Sequence, residues 1–353
     1  MSILNLIRSE LLTSSNYVPG GEGIVNRLHA NELPWAPVSK EVIAYNFYPS
    51  VNAELELAVQ LAKRYQIEAN QLVLTRGSDD GIDLVTRLFL RGGDALMQFP
   101  PTFPMYAFYV RLQQAQLIQC PLNLEKNFEL TFDQINESWQ EHCKIIMFCR
   151  PNNPTGNLVD LNLIAATCER YVDRAVIVVD EAYIEFAASA TIKSASTLIA
   201  QYDNLIVLRT LSKAYGLAGL RIGAILAQSQ VIAALQKIIA PYIISSAVIE
   251  IAKQALNRDD WFPEVIQRIQ KERSALILEL KKLPFIEKIY PSETNFILVK
   301  TSQATELAQW LTAQHIAVRD FPSGSLLHQH LRITVGNEEQ NQLMIQALSS
   351  FIF

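Results

Sequence analysis

Short, nearly unbroken apolar runs recur through the first two-thirds of the chain. Between them, apolar positions repeat every three to four residues. The runs at 71–75, 95–99, 144–148, 175–179, 205–208 and 222–226 have the length and content of strands buried on both faces. Leu55, Leu57, Val59, Leu61 and Ala62 fall at helical spacing, and 81–90 and 161–171 read as helices. This alternation predicts an α/β fold: an open, mostly parallel sheet covered by helices on both faces. From about Ala240 the pattern changes. A long mixed-charge helix at 262–282 leads into shorter strands at 294–299 and 330–335, which predicts a smaller α+β unit. The expected division is a large domain at 41–240, with 1–40 and 241–353 forming an N-terminal arm and a small C-terminal domain.

In open sheets of this kind ligands sit at the carboxyl ends of the strands, so the polar residues there carry the candidate chemistry. After the first strand, Gly77-Ser78-Asp79 opens a helix. Unpaired N–H groups at such a start suit a phosphate, although Ser78 or Asp79 would equally serve as an ordinary cap. Asp79 and Asp80 would have to point away from any anion bound there. After 144–148, Arg150-Pro-Asn-Asn-Pro-Thr-Gly156 forms a rigid turn that presents Asn153. After 175–179 comes Asp180-Glu181-Ala182-Tyr183. A carboxylate at the end of an apolar strand is costly to bury unless a cation or donor meets it. A pyridinium N–H, a structural arginine or a metal would do so, but no histidine or cysteine cluster accompanies it. After 205–208, Lys213 stands among Thr210, Ser212, three glycines and Arg221. Desolvation there would make its amine nucleophilic beside a bound phosphate; a solvated loop lysine is the plain alternative.

At 353 residues, half of them hydrophobic and 18% charged, the chain can bury a large core, and two domains are expected. The net charge of -5 includes no basic stripe, which argues against nucleic acid as a partner. Cys120, Cys143, Cys149 and Cys168 lack paired spacing and read as buried free thiols in a reducing compartment. The first ten residues carry charges where a secretory segment would be apolar, and 231–252 is interrupted by Gln236, Lys237, Pro241 and Glu250. A cytoplasmic protein with no membrane span is therefore expected. The glycines at 216, 219 and 223 do not form a dinucleotide fingerprint. His328 and His330 are a weak metal pair with no acidic or cysteine companions, so no metal site is expected.

Taken together the windows resemble the fold-type I pyridoxal-phosphate (PLP) aminotransferases, and most closely the histidinol-phosphate aminotransferases. The likeness is carried by Leu28-His-Ala-Asn-Glu32, Phe47-Tyr-Pro49, Arg76-Gly-Ser-Asp79, Pro100-Pro-Thr-Phe103 and Pro151-Asn-Asn-Pro-Thr-Gly156. It continues through Val179-Asp-Glu-Ala-Tyr-Ile-Glu-Phe186, Thr210-Leu-Ser-Lys-Ala-Tyr-Gly-Leu-Ala-Gly-Leu-Arg221, Ile239-Ala-Pro-Tyr242 and Leu331-Arg-Ile-Thr-Val-Gly336. The resemblance implies a covalent bond from Lys213 to PLP, Asp180 against the pyridine nitrogen, and Asn153 and Tyr183 on the ring oxygen. Phe103 would lie against the ring. The phosphate would be held by Ser78, Asp79, Thr210, Ser212 and Arg221, with Tyr48 contributed across a homodimer. Tyr17, Asn31, Arg319 and Arg332 would bind substrate. Three positions depart from relatives: His29, Asp80, and Arg150, whose charge is expected near the cleft with a bearing on substrate preference. The implied reaction is reversible amino transfer between histidinol phosphate and 2-oxoglutarate, yielding glutamate, in histidine biosynthesis. Aromatic amino acid transamination, threonine-phosphate decarboxylation and a catalytically silent regulator are the alternatives on the same scaffold.

Overall fold

The computed structural model describes residues 26–28, 31, 35, 51–187, 192–258 and 260–351. Seven strands form the main sheet: β1 (Leu72–Thr75), β2 (Ala95–Gln98), β3 (Gln116–Gln119), β4 (Cys143–Cys149), β5 (Val176–Asp180), β6 (Leu205–Thr210) and β7 (Gly223–Ala227). Their spatial order is β1-β7-β6-β5-β4-β2-β3. All run in one direction except β7, which is antiparallel to both neighbours. The apolar runs explain why the centre is so uniform, since every residue of β6 and β7 is buried. Alternate residues feed two cores. Met97, Ile146, Phe148, Ile177, Val179 and Val207 pack on one face, and Leu96, Ile145, Met147, Val178, Ile206 and Leu208 on the other. Strand β3 falls outside the apolar runs that predict strands. It is an edge strand that buries only Ile118 fully, so it lacks an apolar run.

The helices over this sheet are α1 (Val51–Tyr65), α2 (Ser78–Phe89), α3 (Met105–Leu112), α4 (Phe132–Ser138), α5 (Leu161–Arg170), α6 (Ser229–Gln236) and α7 (Ser246–Leu256). Beyond them, α8 (Trp261–Leu280) buries Val265, Ile269, Arg273, Leu276 and Leu280, a single stripe at helical spacing. A second, antiparallel sheet follows, formed by β8 (Lys288–Ile289), β9 (Phe296–Lys300), β10 (Arg319–Asp320) and β11 (His330–Thr334) in the order β10-β11-β9-β8. Helices α9 (Ala304–Ala313) and α10 (Glu338–Ser349) complete this region. The N-terminal segment is tied to it. Asn26–Arg27 pairs with Ile316–Ala317, and the N–H of Thr334 donates to the carbonyl of Leu28 at 3.0 Å. Among the described residues no helix is long and apolar enough to cross a membrane.

Candidate active site

The parallel strands end along one edge of the main sheet, and β7 begins there. Gly223 pairs with both Thr75 and Thr210, the last residues of β1 and β6. Arg221, two residues before β7, is thereby delivered to the edge where the Gly77-Ser78 turn and Thr210 arrive. The turn is tight enough to demand glycine. A Cβ on Gly223 would lie 2.6 Å from the Gly77 carbonyl carbon and 2.8 Å from the Ser78 nitrogen, and Gly77 has φ +82°. Among the described residues, no side chain caps the first N–H groups of helix α2. Arg221 Nη1 donates to Ser212 Oγ at 3.3 Å, and Thr210 Oγ1 donates to the same oxygen at 2.9 Å. An uncapped helix start, two buried hydroxyls and a guanidinium form an anion cup. Asp80 turns away to Arg76 at 2.9 Å, as the anion reading requires, whereas Asp79 rests against Arg221 at 3.3 Å.

Asp180, the last residue of β5, is 3% exposed. Burial pushes its carboxyl up to about 6, Tyr106 donation opposes this, and Asp79 adds to it. The Tyr106 hydroxyl donates to Oδ2 at 2.8 Å, and the Ala182 N–H donates to Oδ1 at 3.1 Å. Tyr183 follows, its phenol held well above the ordinary range by burial. Its oxygen accepts from Asn31 Nδ2 at 3.1 Å and from Asn153 Nδ2 at 3.4 Å. With both lone pairs taken, the phenol's own hydrogen is left to donate to a ligand. Asn153 is oriented by Arg332, whose Nη1 donates to its Oδ1, and Asn31 Oδ1 accepts from Thr334 at 2.8 Å. Arg332 and Thr334 lie on β11, so this network joins the two sheets. Lys213 Nζ lies 5.8 Å from the Tyr183 ring centre.

Arg319 on β10 and Arg332 on β11 are direct cross-strand partners. Both arginines line the same cavity, and guanidinium forks match the paired oxygens of an anion. Every described candidate lines one cavity of about 600 Å³: Asn31, Ser78, Asp79, Phe103, Asn153, Asp180, Tyr183, Thr210, Ser212, Lys213, Arg221, Arg319 and Arg332. Tyr17, Tyr48 and His29 lie outside the described residues.

One expectation is corrected. Arg150 does not put its charge near the cleft. It is 2% exposed, donates to the Val159 carbonyl at 2.8 Å and pairs with Glu181 at 2.8 Å. Glu181 also faces Arg209 at 3.5 Å, and Arg209 pairs with Glu185. These two arginines and two glutamates form a buried network that does not line the cavity. His330 has both ring nitrogens engaged, one with Tyr290 at 3.2 Å and one with the His328 carbonyl at 3.0 Å. Among the residues that sequence reasoning missed are two at the site. Tyr106, which does not itself line the cavity, reaches the site through Asp180, and Ser325 lines the cavity with a buried hydroxyl that has no partner among the described residues. The four cysteines are buried and free.

The chain belongs to the class I and II aminotransferases, whose family model matches residues 30–348. It is 64% identical over 352 residues to Histidinol-phosphate aminotransferase 1 of Legionella pneumophila (strain Lens), covering 99% of this chain and 96% of that one. In fold it is similar to the histidinol-phosphate aminotransferase of Sinorhizobium meliloti solved with pyridoxal-5'-phosphate, with a TM-score of 0.84 and 22% identity over 97% and 96% of the two chains. The L-threonine-O-3-phosphate decarboxylase of Porphyromonas gingivalis is also similar, with a TM-score of 0.78 and 25% identity over 93% and 99%.

Proposed function

We propose that this protein is a PLP-dependent aminotransferase that moves an amino group reversibly between L-histidinol phosphate and 2-oxoglutarate, in histidine biosynthesis. What carries the reading is the convergence of Lys213, Asp180 and the facing Arg319–Arg332 pair on one cavity, in a chain 64% identical to a histidinol-phosphate aminotransferase. The cavity fits PLP on two counts: the uncapped start of α2 beside Thr210, Ser212 and Arg221 suits its phosphate, and the desolvated Asp180 suits a protonated ring nitrogen.

PLP, when bound, supplies the carbon that accepts the amino group and a conjugated ring that takes up the electron pair released at the substrate carbon. Lys213 Nζ would be the attachment point, and as a free amine it would serve as general base and acid, moving a proton at the substrate carbon. Asp180 would hold a proton on the ring nitrogen. Asn153 and Tyr183 would hydrogen-bond the ring oxygen, and Phe103 would cover one ring face. Arg319 and Arg332 receive the anionic tail of either substrate, because guanidinium forks match paired oxygens of phosphate and carboxylate alike. Tyr17 and Asn31 complete the substrate side, and Tyr48 completes the phosphate site across a homodimer in the cytoplasm.

The test is a substrate panel on purified, cofactor-loaded protein. Histidinol phosphate with 2-oxoglutarate should turn over well above phenylalanine, producing glutamate. Release of carbon dioxide from threonine phosphate without glutamate would instead place the protein with the decarboxylases. Replacing Lys213→Ala should abolish turnover, and near-normal rates in that variant are incompatible with its role.

A further inference from the structure

Tyr106, on the first turn of α3, is fully buried, and its hydroxyl ends 2.8 Å from Asp180 Oδ2. Its ring meets Phe103 edge-on, with centres 5.6 Å apart and planes at 79°. One side chain thus touches both the carboxylate and the aromatic ring that the proposed function sets against opposite features of the cofactor. Resting on that reading, we propose that Tyr106 is a positioning residue for amino transfer: its hydroxyl keeps Asp180 ionised and fixed in direction, so that the shared proton stays on the cofactor's ring nitrogen.

A charge at this place is costly. Asp180 ends an apolar strand, and burial favours its neutral form. The groups around it give little help. Asp79 on α2 opposes ionisation. Glu181 does so too, though its charge is met by Arg150 and Arg209. Cys149 at the end of β4 is held as a thiol, its ionisation pushed up to about 12 by burial, and Tyr183 is held as a phenol. The donors that favour the carboxylate are the Ala182 N–H and the Tyr106 hydroxyl, one on each oxygen. A hydrogen bond to the charged form lowers its proton affinity. Take the phenol away and the carboxylate becomes the stronger base and draws the shared proton toward itself. The ring then accepts electrons less well, although no group touching the substrate has changed.

The experiment uses full-length protein loaded with PLP carrying ¹⁵N in its ring. Tyr106→Phe keeps the buried ring and deletes only the hydroxyl. Cofactor affinity in the wild type should fall as pH drops through about 6, where Asp180 takes up a proton. In Tyr106→Phe that midpoint should move up by about one unit or more, the size expected for losing one hydrogen bond to a charge. The ring ¹⁵N signal should shift toward the unprotonated position, and kcat should fall with KM for the amine substrate little changed. Placing 3-fluorotyrosine at position 106 makes a stronger donor and should move the midpoint down, which keeps the idea testable should the phenylalanine variant not fold. Superimposable pH profiles and ¹⁵N signals across the variants that fold would overturn this proposal alone. A wild-type protein that takes up no PLP would overturn the underlying functional reading as well.

Discussion

Gly223 is the point where the anion cup and the sheet are the same object, and adding one methyl group there should damage both. An alanine Cβ would sit 2.6 Å from the Gly77 carbonyl carbon, 2.8 Å from the Arg209 carbonyl oxygen and 2.8 Å from the Ser78 nitrogen. All three are backbone atoms, on β6 and on the turn that leads from β1 into α2, so no flexible side chain can yield. Overpacking of this kind costs about 1–3 kcal/mol, and rigid neighbours on every side place Gly223→Ala near about 3 kcal/mol. The Ser78 nitrogen is also among the first donors of α2. Moving it by several tenths of an ångström should weaken a hydrogen bond to a charged phosphate worth about 1.5–3 kcal/mol, a loss of roughly tenfold to a hundredfold in PLP affinity. Urea unfolding of the cofactor-free protein measures the first effect, and spectroscopic titration with PLP the second. Gly219→Ala is the control, because nothing lies within 4 Å of its added Cβ, and its stability should stay within about 0.5 kcal/mol of wild type. A Gly223→Ala protein with wild-type stability and wild-type PLP affinity would refute the crowding argument.

Two further outcomes follow from buried charge. Arg150→Met leaves Glu181 with Arg209 as its ion-pair partner, so stability measured by urea unfolding should fall by about 3 kcal/mol. The preference between histidinol phosphate and phenylalanine should be unchanged, and a tenfold switch in preference at intact stability would contradict the burial of this side chain. Asp180 is raised from the ordinary 3.8 to about 6 in the folded chain, so the folded state binds its proton more tightly than the unfolded state does. Its cost to stability is therefore absent below about pH 4, grows between about 4 and 6, and is fully present above. Cofactor-free Asp180→Asn should be the more stable protein at pH 7, by at most about 3 kcal/mol, with the advantage vanishing near pH 4. Equal unfolding free energies at both pH values would show that this carboxylate carries no such penalty.

Fold class and most of the cavity were legible because both are written locally. Apolar runs mark β4 to β7, and residues at or near the ends of β4, β5 and β6, with Arg221 just before β7, line the cavity. What was not legible depends on pairing between distant segments. Strand β10 is two residues long and has no periodicity, so nothing in the chain announces that Arg319 faces Arg332. Tyr106 is separated from Asp180 by 74 positions, and an aromatic residue on a short helix reads as core, which it also is. Arg150 is the instructive failure, because a signal was present. Cys149 and Asp180 are paired in register at the ends of β4 and β5, and both line the cavity. Side chains alternate along strands, so the next residue on each, Arg150 and Glu181, should leave the cavity together and meet on the other side. They do, at 2.8 Å. Carrying the two-residue period one step past the strand ends sorts the adjacent charges correctly: Asp180 is left facing the cavity, held by hydrogen-bond donors, while Glu181, beside it in the chain, pairs with Arg150 and Arg209 away from it.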